Sequence, residues 1–151
     1  MPILKNFITS NIFFASLFSW FVAQILKVLI DIFKKREYSL HTFLERALFG
    51  TGGMPSSHSA MVTALTTSIG FEKGVDSPLF ALSFFFSAIV LRDATGVRRA
   101  AGIQAKILNQ LIRDSKLNIK EVKEVMGHTN LEVVVGVFIG FFIAIAIYLL
   151  R

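Results

Sequence analysis

Cysteine is absent from the 151 residues, so the chain offers no disulfide framework, no thiolate nucleophile and no thiolate metal site. Charge is scarce as well. Only 17% of residues are charged against 54% apolar, a balance that soluble domains, at about 25% charged, seldom show. No aromatic-plus-basic nucleic-acid signature stands out, so the formal charge of +6 is read as belonging to membrane-flanking loops and no nucleic-acid partner is expected. No small-residue cleavage site follows the N-terminal apolar stretch, which is therefore expected to stay as a helix.

What is present comes in apolar blocks. Residues 131–150 carry a single charge, Glu132, at their edge, over the roughly 20 residues that cross a bilayer. Residues 11–33 form a second block, broken only by Gln24, Lys27 and Asp31 and stopped by Lys34-Lys35-Arg36. Serines precede a stretch of small residues, 60–69, suited to a short helix packed inside a bundle. Residues 79–91 form a further span that ends at Arg92-Asp93. From Val97 to Leu117, Ile103, Ile107, Leu108, Leu111 and Ile112 recur at helical spacing among charges, the pattern of an amphipathic helix lying on the membrane surface or against the bundle. A short polar helix is expected around residues 119–125. The fold expected is all-α: one domain, residues 1–151, with about four transmembrane helices and short amphipathic helices on one side. Alternating spans put Lys34 to Arg36, Arg46, Arg92, Arg98, Arg99, Lys106, Arg113, Lys116, Lys120 and Lys123 on one face, which the positive-inside tendency makes cytoplasmic.

Several polar motifs fall on that same face. Gly52-Gly53-Met54-Pro55-Ser56-Ser57-His58-Ser59 sets a sharp loop before a helix start, where backbone N–H groups and the helix dipole favour an anion. It reads equally as a helix cap that happens to contain a histidine. His128 has Glu132 one turn later, a carboxylate able to hold the imidazole in one tautomer, or simply a favourable N-terminal glutamate. Lys27, about two turns into the membrane, is either a ligand for a phosphate or the partner of Asp31. In the cluster Arg92, Asp93, Arg98 and Arg99 the three arginines offer guanidinium forks suited to phosphate oxygens, or the cluster anchors the chain at the cytoplasmic surface.

Together these motifs resemble a known family. Pro55-Ser56-Ser57-His58-Ser59 is similar to the P-S-G-H-S motif of the type-2 phosphatidic acid phosphatase superfamily, which also contains vanadium-dependent haloperoxidases. His128-x3-Glu132-Val133-x2-Gly136-x3-Gly140 resembles its third motif, H-x3-D-V-x2-G-x3-G, with glutamate in place of aspartate. The whole chain, including the run from Asp93 to Arg99, resembles the compact divergent branch of the superfamily. It departs from the main pattern in three places: Lys34 stands where K-x6-R-P has its arginine, Val122 stands six residues before His128 where an arginine is usual, and Ser57 replaces the glycine before His58.

The resemblance implies metal-independent hydrolysis of a lipid phosphomonoester or diphosphate, with no cofactor. His128 would be the nucleophile, Glu132 its orienting partner and His58 the acid for the leaving oxygen. Lys27, Ser56, Ser57, Arg98 and Arg99 would hold the phosphate, with Asp93 in support. The implied partners are a lipid phosphate substrate and membrane lipids, at a site facing the cytoplasm of a cell membrane. A catalytically silent relative that binds or transports a phosphorylated lipid is the alternative. Gly136 and Gly140 form a G-x-x-x-G pair that offers a contact surface, so a homodimer is also expected.

Overall fold

The computed structural model describes residues 10–33, 53–115, 119–122, 124 and 127–150. These form five helices: α1 (Asn11–Phe33), α2 (Ser57–Lys73), α3 (Pro78–Thr95), α4 (Val97–Asp114) and α5 (Asn130–Leu150), with no strand among the described residues. The basic run at 34–36, the segment holding Glu45 and Arg46, Gly52, Lys116 and Lys123 lie outside them.

Local chemistry sets the helix boundaries. Ser56, in extended backbone, accepts from the Ser59 N–H and starts α2. Gly74, at φ +85°, ends that helix by donating its N–H to the Gly70 carbonyl. Ser77 caps α3 by accepting from the Phe80 N–H, and Pro78 occupies the first turn, where its missing N–H costs nothing. α3 runs one turn past the apolar block, to Thr95, before Gly96 at φ −103°, ψ −91° interrupts the helix and α4 begins. The short helix expected at 119–125 is corrected. Residues 119–122 and 124 are not helical. Asn109 on α4 donates to the Val122 carbonyl and accepts the Val122 N–H, so that side chain supplies the hydrogen bonds a helix would have made.

Among the described residues three helices are long and apolar enough to cross a membrane: α1, the run from α3 into α4, and α5. The remaining expected crossing, α2, has 17 residues and spans about 25 Å, less than the roughly 30 Å of a hydrocarbon core. It sits at the centre, packed on α1, α3 and α5, while α1 also meets α5. The helices approach through small residues. Ala15, Ala23, Ala60, Ala64 and Ala144 are buried, whereas Phe18, Phe21, Phe84, Phe85, Phe138 and Phe142 point outward. In lipid, where expelling apolar surface gains little, close backbone contact and interhelical hydrogen bonds hold such a bundle together. Ser19 of α1 donates to the Ala60 carbonyl, Ser87 of α3 donates to the Val62 carbonyl, and Thr66 of α2 donates to the Ser83 carbonyl.

Gly136 and Gly140 are both turned inward. A Cβ at Gly136 would overlap the Ser56 carbonyl, and one at Gly140 would overlap that of Ala60. The G-x-x-x-G pair is therefore the contact between α5 and α2 within one chain, and its surface is not free for a second copy. Gly140→Val should cost about 1–3 kcal/mol of stability by overpacking. Phe142→Leu on the lipid-facing side should change the denaturation midpoint in detergent far less.

Candidate active site

The alternating helices bring the end of α1, the start of α2, the end of α3 and the start of α5 to one end of the bundle, and the sequence-predicted polar residues gather there. His128 stands just before α5. It is 6% exposed, and its Nδ1 lies 3.2 Å from Glu132 Oε2. The same carboxylate oxygen accepts the Thr129 N–H at 3.0 Å, while Thr129 Oγ1 accepts the Glu132 N–H at 3.4 Å. This reciprocal pair is a capping box, so Glu132 is both a helix cap and a histidine partner. With Nδ1 donating to a carboxylate, Nε2 is left as the basic nitrogen.

Backbone contacts fix the height of both histidine loops. The His128 N–H donates to the Ala94 carbonyl on the last turn of α3, and the Ser56 N–H donates to the Glu132 carbonyl. Gly127 rests directly on the Arg99 backbone, leaving no room for a Cβ. Gly53, at φ +86°, passes over the stem of Lys27: a Cβ there would lie 3.7 Å from Lys27 Cγ. Lys27 itself is buried.

His58, in the first turn of α2, is exposed and lies within electrostatic reach of Arg98, Lys27 and His128. The charges of Lys27 and Arg98 bear on His128 too. Burial pushes the His128 pKa below the ordinary 6.5, and Lys27 and Arg98 add to that, outweighing the raising effect of Glu132. Its imidazole is therefore neutral at neutral pH, the form a nucleophile needs.

The other predicted residues divide. Asp93 holds the Arg98 guanidinium, Oδ2 to Nε at 2.6 Å, which steers an otherwise half-exposed side chain at the edge of the site. The hydroxyl of Ser56 is committed to capping α2, accepting from the Ser59 N–H and Oγ. Ser57 is buried in the first turn. Arg99 touches the site through its backbone, against which Gly127 rests. Arg92 lies with Phe85 and Ile89 beside a shallow outer depression of α3. Thr129 and Gly127 were not singled out from the sequence, although T-x-x-E before an apolar run is a capping-box signature and a glycine beside a histidine marks a close approach.

An apolar groove of about 500 Å³ runs between α2, α3 and α5, lined by Thr63, Thr67, Phe80, Phe84, Leu91 and Val137 among others. Leu91 lies one turn from Ala94, to which His128 is bonded. The end of the groove therefore approaches the histidines. Replacing Glu132 with Gln keeps the cap but removes the charge that raises the His128 pKa. Its NMR titration midpoint should move further to acid while that of His58 shifts less, and an unmoved His128 midpoint would contradict the pairing.

No solved structure matches this chain. An uncharacterized membrane protein of Bacillus subtilis (strain 168), YuiD, is 39% identical over 97% of this chain and 97% of its own length. The family model described as the divergent PAP2 family matches residues 8–143. Matched from the middle of the N-terminal stretch to the last helix, with both histidine motifs inside the match, the chain belongs to the divergent PAP2 family.

Proposed function

We propose that this protein is a metal-independent lipid phosphatase of the cell membrane, hydrolysing a phosphomonoester or diphosphate headgroup at the cytoplasmic face. The observation that carries the reading is the buried, neutral His128 held by Glu132 among the charges of Lys27 and Arg98, with His58 close by. Nε2 of His128 attacks phosphorus. The P–O bond to the lipid breaks, and His58, protonated when the negative charge of the bound phosphate opposes the burial and the Arg98 and Lys27 charges that lower its pKa, gives its proton to the departing oxygen. His58 then takes a proton from water, which attacks the phosphohistidine and releases phosphate while His128 returns to its neutral form. Lys27 and Arg98 neutralise the equatorial oxygens, and free N–H groups in the first turns of α2 and α5 add the positive ends of two helix dipoles.

The apolar groove between α2, α3 and α5, whose near end at Leu91 lies one turn from Ala94, supports a lipid substrate, since it offers a hydrocarbon chain a place near the site. Placement at the cytoplasmic face rests on the positive-inside tendency, with Arg92, Arg98, Arg99, Lys106 and Arg113 at the site end and Lys73 at the other. One observation favours the silent, lipid-phosphate-binding alternative: Arg98 already has a carboxylate partner in Asp93, which competes with a phosphate for the guanidinium.

Purified protein in EDTA, offered a panel of lipid phosphates, should release inorganic phosphate. His128→Ala should lose at least about a thousandfold in kcat, and Glu132→Gln about ten- to a hundredfold. Retained turnover in His128→Ala would remove the nucleophile from this scheme. As pH falls, His128 gains a proton and ceases to attack. Because its pKa is depressed, the acidic limb of kcat/KM should lie below 6.5.

A further inference from the structure

α4 leaves the bundle. After the break at Gly96 it packs against α3 and, among the described helices, against none of α1, α2 or α5. One side of it is occupied: Asn109 and Arg113 hold residues 121, 122 and 124 through Val122, Glu121 and Glu124, and Ile112 is buried. The other side is bare. Val97, Ile103, Ile107, Leu108 and Leu111 fall within about 140° of the helix circumference and are between 46% and 71% exposed. Two exposed cations, Arg99 and Lys106, flank one edge of that arc, and Gln104 and Asp114, the single acid on the helix, are the polar residues that fall within it.

We propose that this face of α4 is a docking surface for anionic phospholipid, on which the helix lies in the membrane interface with its apolar arc among the upper acyl chains. Three features select this occupant. Val97, at the start of the arc, shares a shallow outer depression with the lipid-facing Phe85 and Ile89 of α3. Its basic flank attracts anionic headgroups, whereas two copies pairing through the same face would bring those cations together. Its exposed apolar area is unsuited to water, and a bilayer lies beside it. The surface has a consequence for the site. Arg98 sits in the first turn of α4 and the Arg99 backbone supports Gly127, so the depth at which α4 beds into the interface sets the level of the guanidinium beside the histidines.

The absence of cysteine makes the test direct. Ile107→Cys and Lys106→Cys place one thiol on the arc and one on the polar side. Both positions are exposed, so neither exchange disturbs packing. Each variant of the full chain is placed in nanodiscs of phosphatidylcholine, with or without phosphatidylglycerol, and labelled with a membrane-impermeant maleimide. The thiol at 107 should react at least tenfold more slowly than that at 106, and brominated lipid should quench a fluorophore attached there. Adding phosphatidylglycerol should deepen the protection about fivefold, a gain that Lys106→Gln in the Ile107→Cys background should reduce by about the same factor. Equal labelling of the two thiols in nanodiscs would overturn the proposal. Protection unaffected by phosphatidylglycerol would remove the anionic lipid from it. None of these readouts depends on phosphate release, so the proposal stands or falls apart from the hydrolase reading.

Discussion

Glu132 is the residue on which the site depends. Its carboxylate takes the Thr129 N–H and the imidazole of His128, and its backbone carbonyl takes the N–H of Ser56. One residue thus caps α5, selects a histidine tautomer and ties the loop before α2 to the helix after it. The two histidine motifs lie some seventy positions apart in the chain, yet they meet across a single peptide unit. That proximity is possible because Gly136, one turn further on, lets the Ser56 carbonyl come against the α5 backbone.

The same economy runs through the bundle. Where lipid surrounds the helices, large side chains gain nothing by turning inward, and they are found outside as phenylalanine. Alanine, glycine and serine occupy the contacts, and the serines at 19 and 87 hydrogen-bond to carbonyls on α2. α2 is thereby held on three sides, and its first turn, with His58, has a defined position relative to Lys27 and His128. Precision at the site comes from backbone proximity along the whole length of α2 rather than from contacts near the site alone.

Much of this was legible in the sequence where one signal acted alone. Residues 11–33 and 131–150 declared helices through long, largely apolar runs, and the structure places α1 and α5 there. Ser56 declared a cap because a serine preceded small residues. Convergence of Lys27, His58, Asp93, Arg98 and His128 followed from alternating spans, since side-of-membrane arithmetic needs no tertiary detail. Legibility failed where a distant side chain decided the outcome. Residues 119–125 have helical composition, but Asn109 captures the backbone of Val122. Gly136 and Gly140 carry a motif for helix contact that does not name its partner, and α2 of the same chain fills that role. The hydroxyl oxygen of Ser56 accepts from Ser59, a cap contact that the serine-rich loop alone did not single out from its neighbours.

The shortness of α2 has an implication for the surrounding lipid. A central helix of 17 residues cannot match a hydrocarbon layer about 30 Å thick while its neighbours α1 and α5 can. Because α1, α3 and α5 surround it, they and not α2 set the match to the lipid. The start of α2 is instead recessed: the Ser56 carbonyl meets Gly136, six residues inside the first residue of α5. The exposed His58 thus stands at the floor of a depression ringed by longer helices, so the shortness of one helix makes room for a headgroup within the protein's own outline.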